Sequence, residues 1–447
     1  MKLSLRTCLG ALLLVAASGC TAPARAATDR VTCTIELDRN LLAAEAVQRT
    51  VMKVALRASA VTTTDERPPV NLVVVLDRSG SMGGDKIERA KEAAMEALHR
   101  LGPKDLFSLV LYDHEVETVV PPQSASNVEW IEGRIRKIQS RGNTALFAGV
   151  SQGAAEMRKN LENRKYVPRI LLLSDGQANV GPSAPEDLGR LGAALMKEGV
   201  AVTTVGVGTD YNEDLMTRLS QNSDGNAYFA ANSAELPRIF NAELGGVLKV
   251  VARQVVLEIT CTSGVKPLRI IGREGRIHGN TVEITLNQLY GGQEKYALIE
   301  VEVPAASANE ERKIAVASCR YADAITQDDG KASTHATVRF SRDEKAVSGS
   351  FNAMVQRDIA FNTAAIANEA AISLNDAGKN ALAAVHLREE SERLRKVAKD
   401  YKLPEVEQQA DELNAKAKVL SSRALHAEER KSMRTDSYQS RNQQQEK

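Results

Sequence analysis

The run Val70-Asn71-Leu72-Val73-Val74-Val75-Leu76, apolar at every position but Asn71, is the strongest constraint on how this chain can fold. A strand with apolar side chains on both faces must be covered on both faces, as in parallel sheets flanked by helices. The next segment fits that requirement. Ile87, Ala90, Ala94, Leu98 and Leu101 recur at helical spacing over residues 86–101. A hairpin then follows over 107–120 with Asp113-His114-Glu115 at its tip, and helices are expected at 128–138 and 145–161. Strand-like and helical patterns go on alternating, with apolar runs at 170–173 and 201–207, to a last helix over 233–244. Alternation of this kind predicts a doubly wound α/β domain over residues 67–247.

The chain on either side of it reads differently. Residues 31–37 and 50–61 are strand-like, and Pro68-Pro69 breaks the pattern before the α/β unit. From residue 250 strand patterns return without helices, separated by turn residues such as Gly264, Gly272, Gly279-Asn280 and Gly291-Gly292. The early strands are too few to stand alone. They are therefore expected to join the later ones, so that 31–66 and 248–341 form a split all-β sandwich with the α/β domain inserted. The remainder is Ala-rich and helical. Leu387, Leu394, Ala398 and Tyr401 make one seam, with Ser391 in register. Val406, Ala410, Leu413, Ala417, Leu420 and Ala424 make a second beyond Pro404. The two seams predict a C-terminal helical hairpin or bundle over 348–432. The polar, Gln-rich end, 433–447, is expected to be disordered.

The first residues read as an address. Lys2 and Arg6 precede the apolar stretch 8–17, a signal peptide pattern over 1–19. Ala17-Ser18-Gly19-Cys20 resembles a bacterial lipobox, which would make Cys20 the lipidation site and place the chain, lipid-anchored, at the outer membrane or periplasm. Cleavage after Ala26 would instead give a secreted or periplasmic product. Export implies an oxidising compartment. One disulfide is then expected among Cys33, Cys261 and Cys319, with the pairing left open.

Lys and Arg number 58 against 57 Asp and Glu, a formal charge of +1 that argues against nucleic acid as partner. Chemistry must come from a local arrangement, and one is present. The apolar run ends in Asp77-Arg78-Ser79-Gly80-Ser81. Gly142-Asn143-Thr144 lies at a loop-to-helix junction, and Ser174-Asp175-Gly176 ends another buried strand. Loops leaving the carboxyl ends of adjacent parallel strands converge on one crevice. Asp77, Ser79, Ser81, Thr144 and Asp175 all offer oxygen, which suits a hard divalent cation such as Mg²⁺, bound at ~2.0–2.1 Å. Taken singly, Ser79, Ser81 and Thr144 also fit helix caps or turns, and Asp175 a plain turn. His114 reads as an exposed tip residue and Trp130 as packing. Asp210, Asp214 and Asp224 read as turn residues near the rim.

In that order, the Asp-x-Ser-x-Ser run, the Gly-x-Thr and the Ser-Asp-Gly resemble the metal-ion-dependent adhesion site of von Willebrand factor A domains. The resemblance covers about residues 69–247; the flanking layout is similar, more loosely, to bacterial envelope proteins carrying such a domain. It implies that Asp77, Ser79, Ser81, Thr144 and Asp175 hold Mg²⁺, Mn²⁺ or Ca²⁺. The ion's open position would take an Asp, Glu or C-terminal carboxylate from a protein partner. It also implies that the last helix, over 233–244, can shift when ligand binds. The expected function is thus metal-dependent protein binding at the cell envelope, and not an enzyme. One rival is an assembly scaffold whose metal is only structural; another is a metal-assisted hydrolase, although no metal-protease or nucleophile-elbow motif accompanies the site.

Overall fold

The computed structural model describes residues 30–61 and 67–444. The signal segment 1–19, Cys20 and the alternative cleavage point at Ala26 lie outside the described residues. The chain begins with strands β1 (Val31–Leu37), β2 (Leu41–Ala43) and β3 (Gln48–Ala58). An α/β unit follows: β4 (Val70–Asp77), α1 (Asp85–His99), β5 (Leu106–Tyr112), β6 (Val116–Ser124), α2 (Val128–Ile135) and α3 (Leu146–Arg158). It continues through β7 (Val167–Ser174), α4 (Pro185–Lys197), β8 (Ala201–Val207), α5 (Glu213–Ser223), β9 (Ala227–Ala230) and α6 (Leu236–Val247).

The apolar run behaves as its composition requires. Every residue of β4 is buried, and its side chains divide between two cores. Leu72, Val74 and Leu76 pack with Ile87, Ala94, Phe240 and Leu244 from α1 and α6, while Val73 and Val75 pack with Val150, Ala154, Leu215 and Leu219 from α3 and α5. The sheet order is β6-β5-β4-β7-β8-β9, with only the β5–β6 pair antiparallel. From β4 the chain moves to β5 on one side and later returns to β7 on the other. The carboxyl ends of β4 and β7 therefore form the switch point, where such sheets open a crevice. Gly153 lets α3 lie close on the sheet: a Cβ there would come within 2.5 Å of Val75 Cγ2. That approach brings the start of α3, and Thr144 just ahead of it, over the end of β4.

Beyond α6 come β10 (Val250–Cys261), β11 (Lys266–Ile271), β12 (Arg276–His278), β13 (Thr281–Tyr290), β14 (Glu294–Val303), β15 (Glu311–Asp323) and β16 (Asp329–Ser341). They build two further sheets together with the N-terminal strands, in the orders β1-β3-β14-β11 and β12-β13-β10-β15-β16-β2. β3 and β14 pair antiparallel from Gln48↔Val303 to Arg57↔Glu294, across the whole α/β unit in sequence. Residues of both sheets, including Met52, Val54, Leu257, Ile299 and Phe340, share one apolar cluster.

Cys33, Cys261 and Cys319 are free thiols in this structure, with none of the three candidate pairs bonded. Register explains one pairing: Cys319 lies opposite Leu257, four residues along β10 from Cys261. Four residues of strand span about 13 Å, well beyond disulfide reach. Cys33 sits on β1 in the other sheet, opposite Leu56, and is near enough to Cys319 for the two thiols to feel each other's charge.

The chain ends in α7 (Glu344–Gly349), α8 (Ala353–Asp376), α9 (Asn380–Tyr401), α10 (Pro404–Ser422) and α11 (Ala427–Arg441). Contacts of Arg388 with Ser421 and of Arg395 with Asp411 show that α9 and α10 run antiparallel. Ser391, the polar residue in the seam, donates to the Ala410 carbonyl at 2.7 Å. The expected disordered tail at 433–447 is instead helical to Arg441 and docks on the α/β unit. Tyr438 donates to Gly225 O at 2.6 Å, Asn442 to the same carbonyl at 3.0 Å, and Gln439 to Ala227 O at 2.8 Å. Lys431 pairs with Glu213, and Arg430 and Arg434 bond Asp214. A polar composition reads as solvated, but here the polar groups satisfy the edge of β9 and the turn before it. Deleting residues 433–447 should therefore lower stability in urea unfolding by at least about 3 kcal/mol, since a buried Tyr and its bonds are lost. A disordered tail would leave the midpoint unchanged.

Candidate metal centre

The five predicted oxygen donors come together at the switch point. Asp77 ends β4 and is 0% exposed. Its carboxylate accepts from Ser79 N at 2.8 Å and from Ser174 Oγ, at the end of β7, at 2.7 Å. Burial pushes this carboxyl up to about 6; the Ser79 and Ser174 bonds work against the rise and the neighbouring Asp175 charge adds to it. Asp175 is likewise 0% exposed, and its Oδ1 accepts from Ser81 Oγ at 2.7 Å. Ser79 Oγ and Ser81 Oγ lie 3.0 Å apart.

Thr144 joins them from the second loop. Its backbone N–H donates to Asn179 Oδ1 at 2.8 Å, and its carbonyl accepts from Asn179 N at 3.1 Å. The first loop is tied to the second by Gly80 N donating to Gly142 O at 3.0 Å and Arg141 N to Arg78 O at 2.7 Å. Gly176 reports the convergence. A Cβ added there would lie 3.2 Å from Thr144 Oγ1, 3.3 Å from Ser81 Oγ and 3.9 Å from Ser79 Oγ. These hydroxyls serve as helix caps neither in the first loop nor in the second. Ser79 occupies the cap of the short 3₁₀ turn Gly80–Met82 without a side-chain cap bond, and the cap position of α3 is Ala145.

Two buried carboxylates and three hydroxyls around one point fit a hard divalent cation. The fit also makes electrostatic sense, since neighbouring buried carboxylates are costly without a positive charge between them. One positive group does stand there, and the sequence pattern did not single it out: Lys86, whose Nζ reaches Asp175 Oδ2. Ser174 and Asn179, which hold Asp77 and the Thr144 backbone, were missed as well. The motif spacing points to ligands and not to the groups that orient them.

The other candidates lie elsewhere. Asp113, His114 and Glu115 form a compact group whose potential ligand atoms lie within 4.8 Å of one another. Their charges are already answered: Asp113 accepts from Arg78 Nε at 2.7 Å and Arg141 Nε at 2.9 Å, and Glu115 from Arg141 at 2.8 Å. Burial works against the Asp113 charge, but the Glu115 backbone and the two guanidiniums outweigh it and hold the carboxyl below its usual value. His114 packs over Gly142, whose left-handed φ of 71° and missing side chain leave room for the ring. Asp214 faces Arg430 and Arg434. Asp224 caps α5 at its far end and pairs with Lys295. Asp210 is exposed, and Trp130, expected to be packing, is exposed too, with Arg134 lying over its ring.

Residues 71–242 match the family model of the von Willebrand factor type A domain. That segment is a von Willebrand factor type A domain. Within known sequences, the chain is 31% identical over 203 residues to the uncharacterized protein sll0103 of Synechocystis, covering 45% of this chain and 47% of that one. A second relative, the uncharacterized protein YfbK of Escherichia coli, is 30% identical over 232 residues, covering 51% of this chain and 40% of that one. The chain thus spans about half the length, or less, of the curated relatives it matches. Among solved structures, a von Willebrand factor type A protein from Catenulispora acidiphila superposes with a TM-score of 0.68 at 16% identity, over 86% of this chain and 90% of that one. At this identity the likeness extends the A domain's fold to its flanking sheets and helices, and shows fold alone.

Proposed function

We propose that this protein is an exported, metal-dependent protein-binding module whose A domain docks a partner carboxylate. Domains of this family generally serve as protein-interaction modules, some of them metal-dependent. The observation that carries the reading is the cradle beside Gly176, where hydroxyls from two loops meet above the buried carboxylates of Asp77 and Asp175. Asp77, Ser79, Ser81, Thr144 and Asp175 would hold the cation, with Mg²⁺ first and Mn²⁺ or Ca²⁺ as alternatives. When bound, the ion supplies an open coordination position for an Asp, Glu or C-terminal carboxylate of the partner. The chain's part is to keep the donors converged and the carboxylates out of water.

In this reading the A domain is inserted in a split β-sandwich, which with the C-terminal helices forms its platform. The signal-like start and Cys20 support a position at the bacterial cell envelope on a lipid anchor, with a secreted or periplasmic form as the alternative if cleavage follows Ala26. Binding, and not catalysis, is the proposed activity. Gly176→Ala tests the cradle. Its φ is not in the left-handed region, so alanine suits the backbone, but the new methyl lies against Thr144 and Ser81. Mg²⁺ affinity measured by calorimetry should fall at least about tenfold, with the unfolding midpoint little changed, because displaced ligands cost more than one strained contact. Unchanged affinity would remove the cradle as the cation site.

A further inference from the structure

The lysine inside this site has no role in the reading above. Lys86 is the second residue of α1, whose cap is Gly84 with no side-chain cap bond. A cation in a helix's first turn faces the positive end of the helix dipole and is disfavoured there. What holds it is Asp175: Lys86 Nζ lies 2.5 Å from Oδ2, with the two side chains 30% and 0% exposed. Ser81 takes Oδ1. Both oxygens of Asp175 are thus engaged by the chain's own donors, whereas Asp77 is held by the neutral donors Ser79 N and Ser174 Oγ.

The two engagements of Asp175 differ in kind. Ser81 Oγ keeps acceptor lone pairs and can rotate its hydrogen away, so it can pass from donor to ligand. An ammonium has three donors and no acceptor, so it cannot share a carboxylate oxygen's inner position with a metal ion. Resting on the cation-site reading, we propose that Lys86 is an internal competing cation that neutralises Asp175 until a divalent ion displaces it, and so sets the site's metal affinity. Its long stem can swing toward solvent, because the side chain is already partly exposed. The loaded site then keeps one surplus positive charge nearby, which suits an anionic partner group.

The test is Mg²⁺ calorimetry on the full chain with wild type, Lys86→Met, Lys86→Arg and Asp77→Asn. Lys86→Met keeps the stem without the charge and should bind Mg²⁺ about tenfold more tightly, the scale of one partly buried charge contact. Lys86→Arg keeps the charge and should bind no more tightly than wild type. Unfolding followed with and without Mg²⁺ gives a second readout: the metal-induced rise in midpoint should be larger in Lys86→Met. Equal or weaker Mg²⁺ binding by Lys86→Met, with wild type binding and Asp77→Asn not, overturns the role of Lys86 and leaves the cation site standing. Failure of both wild type and Lys86→Met to bind removes the site and this proposal together.

Discussion

Replacing Glu243 with alanine should destabilise the folded chain by about 3–5 kcal/mol, because the change leaves a buried arginine without its counter-charge. Arg169, at the start of β7, is 0% exposed and Glu243, on α6, is 1% exposed. They approach to 3.4 Å. Glu243 also accepts from Thr203 Oγ1 at 2.7 Å, Asn226 Nδ2 at 2.8 Å and Tyr228 OH at 3.0 Å, all buried or nearly so. Truncation strands those donors as well as the guanidinium, and each unsatisfied buried group adds its own penalty. Arg169 in turn donates to Gln288 and Tyr290 of β13, so the network joins the A domain sheet, its last helix and the flanking β structure. Urea unfolding of the variant checks the size of the loss. A change below about 1 kcal/mol would mean that the network is not what fixes α6 to the sheet. Glu243→Gln keeps the shape and part of the bonding and should fall between.

Asp77→Asn should have the opposite profile: little or no loss of stability, and Mg²⁺ affinity lower by at least about 100-fold. Asp77 is wholly buried beside Asp175, and its charge is answered by hydrogen bonds alone. Asparagine keeps the oxygen that accepts from Ser79 N and can turn its amide toward Ser174 Oγ, while removing a buried negative charge. For the metal, the same change deletes an anionic ligand. Stability and binding are therefore expected to move independently, which separates a functional carboxylate from a structural one. Matched calorimetry and unfolding of the purified variant would show it. Retained Mg²⁺ binding would exclude Asp77 as a ligand.

The parts of this molecule that were legible in the sequence are those set by local pattern. A doubly apolar strand forces helices on both faces, so β4 and its alternating neighbours could be read from composition, and with them the loops that carry Asp77, Ser79, Ser81, Thr144 and Asp175. What escaped depends on partners distant in the chain. Arg169 looks like one polar interruption of a strand; only Glu243, Gln288 and Tyr290, from other elements, make it a buried hub. Residues 433–444 are polar, yet their side chains are spent on the carbonyls and amide of Gly225 and Ala227. The separation of Cys261 from Cys319 follows from strand register, which spacing in sequence does not encode. Lys86 had a usable signal: a lysine in the first turn of a helix, where an acidic residue is the electrostatic preference.

Diffraction from crystals grown with Mn²⁺, recorded for its anomalous signal, tests the central claim most directly. A single strong peak enclosed by Asp77, Ser79, Ser81, Thr144 and Asp175, with Lys86 turned away from Asp175, is the expected result. A peak at Asp113-His114-Glu115 instead, or none within reach of Gly176, would contradict it.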